Sequence, residues 1–166
     1  GKDRTLEGHK DYISEVAWSP NSKKIATCSR DNSIKIWDAS TGKILKSLSV
    51  KDNPIDVAWS PDGSKVASCG WDFKITIWDA GSWSVLKTLR GHKGNVLSIS
   101  WSPNGKWIAS GGVDATVRIW DVATGGELRT LNDHSGAVDT VRWNPKGDSL
   151  MSASRDRTIR IWTVTP

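Results

Sequence analysis

His92, Ser110 and Asp114 are the residue types that nucleophilic catalysis needs: a hydroxyl to attack, an imidazole to take its proton and a carboxylate to orient the imidazole. The same set recurs as His134, Ser152 and Asp156. With threonine for serine it recurs again as His9, Thr27 and Asp31. Catalytic sites are rarely built in triplicate, and these sets use all 3 histidines of the chain. No histidine is left for a zinc centre, and Cys28 and Cys69 fall at matching places in the pattern. An enzyme, a metal site and a cofactor are therefore not expected.

What recurs is larger than a triad. Trp18, Trp59, Trp101 and Trp143 follow one another at steps of 41, 42 and 42 residues. Asp31, Asp72, Asp114 and Asp156 keep the same steps, as do Trp37, Trp78, Trp120 and Trp162. Each repeat sets Ser or Thr (Thr27, Ser68, Ser110, Ser152) four residues before the Asp and a Trp six residues after it. Repeat two is one residue short upstream, and Val50 stands where the histidine would be. A fixed period of this size marks a repeat architecture.

The elements that must position these residues read as strands. In repeat one, ISEVAW, KIATCS and SIKIWD alternate or run apolar over six residues each, separated by turn residues at Pro20-Asn21-Ser22 and Arg30-Asp31-Asn32. KILKSL follows the turn at Ser40-Thr41-Gly42 as a fourth strand. No segment keeps a helical period, so the chain is all-β, with one four-stranded meander per repeat. Such a sheet, apolar on both faces, needs other sheets packed on it.

These residues, with the Gly-His and Trp-Asp pairs, resemble the WD-repeat β-propeller family over the whole chain. The resemblance implies that His, Ser/Thr, Asp and the Trp indole form a buried hydrogen-bonded tetrad fastening each blade. The sets are His9–Thr27–Asp31–Trp37, His92–Ser110–Asp114–Trp120 and His134–Ser152–Asp156–Trp162, with Ser68–Asp72–Trp78 alone in repeat two. A buried Asp must be supplied with donors, and an indole N–H is one.

The expected organisation is a single four-blade domain over 1–166, with repeats near 5–45, 47–86, 88–128 and 130–166. In the resembled family each blade takes its outer strand from the start of the next repeat. Residues 47–48, 88–89 and 130–131 would close the first three blades. Residues 4–7 would supply the outer strand of the last. Family propellers usually close with about six to eight blades. Ile159 and Ile161 match Ile34 and Ile36, so neither end repeat reads as a polar cap. A homodimer making an eight-bladed ring, each N-terminal strand completing the other chain's last blade, is the expected closure. Completion by a different protein and a closed four-bladed monomer are the rivals.

The resemblance places partner binding on the narrow top face, through the residue before each turn Asp and two positions early in each inner strand. Here these are Arg30, Trp71, Val113 and Arg155, then Tyr12, Ser14, Asn53, Ile55, Asn95, Leu97, Ala137 and Asp139. Trp71, outside the tryptophan lattice and level with two arginines, has the composition of an interface hot spot, or else lies flat on its own blade. Trp83 and Trp107 fall near the opposite face, as a second patch or as covers for blade edges. Arg30 and Arg155 favour an acidic or phosphorylated partner. The expected function is a non-catalytic scaffold binding a protein or peptide and assembling into a ring. The alternative is a self-assembling half propeller whose only partner is its own copy.

Net charge is +5, from 23 basic and 18 acidic residues, and the basic residues are dispersed, so nucleic-acid binding is not expected. No run of about eighteen apolar residues would span a membrane. The first ten residues hold no apolar stretch, so no secretory signal is expected, and the initial Gly suggests a processed end. Cys28 and Cys69 read as free buried thiols facing the same way in successive repeats. That fits an intracellular setting, cytoplasmic or nuclear.

Overall fold

A computed structural model describes residues 3–164; Gly1, Lys2, Thr165 and Pro166 lie outside the described residues. Among the described residues, fifteen strands form four antiparallel sheets. The first is β1 (Ile13–Trp18), β2 (Lys24–Ser29), β3 (Ser33–Asp38) and β4 (Ile44–Ser49). The second is β5 (Pro54–Trp59), β6 (Lys65–Gly70), β7 (Lys74–Asp79) and β8 (Val85–Arg90). The third is β9 (Val96–Trp101), β10 (Trp107–Gly112), β11 (Val117–Asp121) and β12 (Glu127–Leu131). The fourth has only β13 (Val138–Trp143), β14 (Ser149–Ser154) and β15 (Ile159–Thr163).

Turn chemistry sets this meander. The residue after the turn Asp, namely Asn32, Phe73, Ala115 or Arg157, adopts a left-handed φ of 61 to 71° in every blade. At the next turn glycine takes the left-handed place at Gly42 and Gly125, but repeat two puts Trp83 there, with φ 60°. Trp83 carries that strain by packing edge-on against Trp59, ring centroids 6.0 Å apart, under the Lys24 ammonium. Trp107 likewise stacks on Trp143 across the next seam but one, at 5.8 Å. Both rings thus cover seams between blades.

The core lies between sheets rather than within them. Ala26, Cys28, Ile34, Ile36 and Leu48 of the first blade pack against Val57, Trp59, Val66 and Trp78 of the second. Ala67, Cys69, Ile75, Ile77 and Leu89 meet Val96, Ile99, Trp101 and Ile108 of the third in the same way. Ala109, Val117, Ile119 and Leu131 meet Val138, Val141 and Leu150 of the fourth. At the cysteine-equivalent position the third blade has Gly111, where a Cβ would stand 2.5 Å from Val138 Cγ1, so the closer approach of blades three and four demands glycine. Cys28 and Cys69 are free and buried, and desolvation pushes both thiols well above their ordinary range.

The faces with no neighbour stay open. Ile159 and Ile161 of the fourth blade are 72% and 78% exposed, where their counterparts Ile34 and Ile36 are 0% exposed. Val16 and Trp18 of the first blade are likewise exposed, where Val57 and Trp59 are buried. Residues 4–7 form no strand. Within one chain they run past the first blade, where the Arg4 guanidinium donates to the Ala39 and Ser40 carbonyls and Leu6 lies over Gly42. Among the described residues, no strand pairs with the outer side of β15, the edge of the fourth sheet.

Candidate functional site

The His, Ser/Thr, Asp and Trp side chains meet inside their blades. His9 Nδ1 lies 2.9 Å from Asp31, its Nε2 lies 2.6 Å from the Thr27 hydroxyl, and the Trp37 indole donates to the same hydroxyl at 2.8 Å. His92 lies 3.0 Å from Asp114 and 2.8 Å from Ser110, which also accepts from Trp120 at 2.8 Å. His134 lies 2.7 Å from Asp156 and 2.8 Å from Ser152, which accepts from Trp162 at 2.8 Å. In blade two the Trp78 indole donates to Ser68 at 3.0 Å, and among the described residues Asp72 is met by Lys74 alone. Each hydroxyl that would have to attack a substrate already accepts an indole N–H and is buried. These sets hold blades together.

Burial alone would raise the pKa of Asp31, but donors from Ser33, the Lys10 backbone and His9 hold it well below the usual carboxylate range. Asp114 is depressed against the same desolvation by His92, the Lys93 backbone and Thr116. Asp156 is depressed chiefly by the Thr158 hydroxyl, then by His134.

The surface positions divide unequally. In each blade the residue before the turn Asp donates its N–H to the loop entering the inner strand: Arg30 to Tyr12, Trp71 to Asn53, Val113 to Asn95 and Arg155 to Ala137. Tyr12, Ser14, Arg30, Asn53, Ile55 and Trp71 come together with Pro54 around one groove of about 260 Å³ between blades one and two. Trp71 lines it with half its surface exposed. The Arg30 guanidinium sits 5.2 Å from the centroid of the Tyr12 ring, which orients a cation at the groove rim. Asn95, Leu97, Val113 and Ala137 do not join this groove. Arg155 is held by its own blade, donating from Nε to Asp139 at 3.0 Å. Its charge is matched in place. Among the described residues no group of three or more His, Cys, Asp or Glu is placed to hold a metal ion.

One ionisable residue escaped the sequence reading. Asp56, on inner strand β5, is buried and accepts the Ile99 N–H of the next blade at 2.8 Å. Ser98 does the same one blade on, accepting from Val141 N at 3.4 Å. Desolvation pushes Asp56 up to about 6 despite the Ile99 bond and the nearby Arg142 charge. The one signal was a carboxylate in repeats one and two, Glu15 and Asp56, at a register where repeats three and four have Ser98 and Thr140. Because the folded pKa exceeds the unfolded value of about 3.9, the folded chain holds this proton more tightly and loses stability as pH rises from about 4 to 6. Asp56→Asn keeps an acceptor for Ile99 and removes the charge. It is expected to stabilise the chain at pH 7.5 by about 2–3 kcal/mol, read by chemical denaturation, and to flatten stability over that pH window.

Four sheets stacked face to face, inner strand beside inner strand, with a hydrogen-bonded fastening in each blade, define a β-propeller array. The chain belongs to the WD-repeat β-propeller family, with residues 12–165 matching the family described as WDR90, 4th beta-propeller. The solved structure of U3-55K superimposes with a TM-score of 0.91 at 27% identity, over 97% of this chain and 51% of that one. Retinoblastoma-binding-like protein E of Dictyostelium discoideum is 44% identical over 52 residues, which are 31% of this chain and 10% of that protein. THO complex subunit 3 of Arabidopsis thaliana is 36% identical over 55 residues, covering 32% of this chain and 18% of the relative. The chain thus spans about half the length of U3-55K and less than a fifth of these relatives.

Proposed function

We propose that this chain is a non-catalytic, intracellular interaction scaffold that binds an extended peptide or protein segment in the groove between blades one and two. The observation that carries this reading is the groove itself, where a half-exposed Trp71 faces an oriented Arg30 across about 260 Å³. An aromatic anchor beside a guanidinium suits an apolar side chain followed by a carboxylate or phosphate. Arg30 is the cation such a partner meets first, since Arg155 is already matched by Asp139. Trp71→Ala is expected to weaken a peptide selected from an acidic and phosphorylated library by about 30-fold (roughly 2 kcal/mol), and Arg30→Ala by a smaller, salt-dependent factor. Unchanged affinity in Trp71→Ala, measured by titration calorimetry, would rule the groove out.

A second reading, self-assembly, is favoured by the exposed Ile159, Ile161, Val16 and Trp18 and by the unpaired β15 edge. A second copy would cover both faces, and its residues 4–7 would add the missing outer strand to the fourth sheet. Sedimentation equilibrium separates this pairing from completion by a different protein or by further blades of a longer chain, which leave the isolated chain single.

A further inference from the structure

The Ser–Asp–Trp frame occurs four times in the chain and the imidazole only three. Where it is present, the ring fits one way: Nδ1 lies 2.7–3.0 Å from the Asp carboxylate and Nε2 2.6–2.8 Å from the Ser or Thr hydroxyl. The carboxylate can only accept, so Nδ1–H is its donor; Nε2 of the neutral ring then takes the hydroxyl proton, while the indole N–H takes a lone pair of the same hydroxyl. In blade two the frame stands without its ring. Ser68 is 5% exposed and accepts from Trp78, and no acceptor for its hydroxyl proton is found among the described residues.

What replaces the ring is space. A cavity of about 220 Å³ is bounded by Ser68, Asp72, Lys74, Thr76, Trp78 and Arg90. The equivalent side chains around His92 are Ser110, Asp114, Thr116, Arg118 and Trp120. The volume is several times the roughly 30 Å³ that one water occupies, and polar side chains share the walls with Val50, Pro54 and Val85. The loop above it, shortened by one residue, turns through Asp52 and Asn53 at left-handed φ values of 57° and 44°, carrying Val50 in place of the histidine. Lys74 stands where the other blades have Ser33, Thr116 and Thr158, and its ammonium is a loose 3.4 Å from Asp72.

We propose that this cavity is a binding site for an imidazole ring with both nitrogens unsubstituted, which donates one N–H to Asp72 and accepts the Ser68 hydroxyl proton at its other nitrogen. The ring can come from a free imidazole compound or from a histidine side chain on a bound peptide. Lys74 is the competitor that the ligand displaces from Asp72.

The test uses the whole chain at pH 7.5, with the Trp78 indole N–H signal in a nitrogen-15 spectrum and the melting temperature as readouts. Imidazole should shift the Trp78 signal saturably and, at ten times its dissociation constant, raise Tm by roughly 3–5 °C. 1-Methylimidazole, which lacks one of the two N–H/N functions, should bind at least tenfold more weakly. Lys74→Thr, which restores the residue type of blades three and four, should tighten imidazole several-fold. Ser68→Ala and Asp72→Asn should each weaken it tenfold or more. A histidine-containing tripeptide that binds as tightly as imidazole identifies the peptide source, and one that does not identifies the free compound. Equal effects of imidazole and 1-methylimidazole, or no saturable shift in either the parent chain or Lys74→Thr, would overturn the assignment.

Discussion

Asp114→Ala is expected to destabilise the chain by about 3–5 kcal/mol, whereas Asp72→Ala, at the same place one blade earlier, should change stability by less than about 1 kcal/mol. Asp114 accepts from His92, from the Lys93 N–H at 2.9 Å and from the Thr116 hydroxyl at 2.9 Å. The His92 side chain is 1% exposed, so truncating the carboxylate strands a buried imidazole N–H without its acceptor. Asp72 has no imidazole to lose and, among the described residues, meets only Lys74. Denaturant titrations of the two variants, run side by side, check the contrast. Equal losses would mean that the tetrad does not fasten the blade.

The same residues set the acid limit. Asp31, Asp114 and Asp156 are held below their ordinary range, so below about pH 4 the unfolded chain takes up protons that the folded carboxylates refuse. Stability should fall as pH drops through that region, with a shallower fall in Asp114→Ala. Asp56 acts in the opposite sense between about pH 4 and 6 and offsets part of the gain made as pH rises.

Ile161→Asp is expected to lower self-association at least thousand-fold (about 4 kcal/mol) and to leave the fold of the single chain intact. Ile161 is 78% exposed on one chain, so an aspartate there meets water, and surface changes of this kind stay within about 0.5 kcal/mol. In a closed ring it would occupy the place of Ile36, Ile77 and Ile119, at most 2% exposed between blades, where an unpaired carboxylate costs several kcal/mol. Ile36→Asp is the control, since it should unfold the chain outright. Sedimentation equilibrium with circular dichroism reads both. A parent chain that sediments as a single copy at every concentration would remove the self-assembly reading and leave the groove untouched.

Much of the architecture was legible because its signals are local and repeated. Period-two alternation in SIKIWD, the Asp turns and the 41- and 42-residue steps each depend on a few neighbouring residues, so they predict strands and meanders, and the family resemblance that the steps carry implied the partners of each fastening. The groove was legible only as a set of twelve equivalent positions. Which of them meet, that Arg155 is taken by Asp139 while Arg30 lies over Tyr12, and that residues 4–7 run along the first blade are matters of distance between segments far apart in sequence.

Burial belongs to the same class. Asp56, Gly111 and the cavity beside Ser68 owe their character to the facing blade or to a loop one residue shorter, and no periodicity along one strand records what stands opposite it. By itself, then, the sequence determined the blade and its count, since hydrogen-bonding and turn rules act within one repeat. Only the tertiary structure decided which charges are free, which faces are bare and that the missing ring of repeat two leaves a cavity, because each of those depends on how segments far apart in the chain pack together.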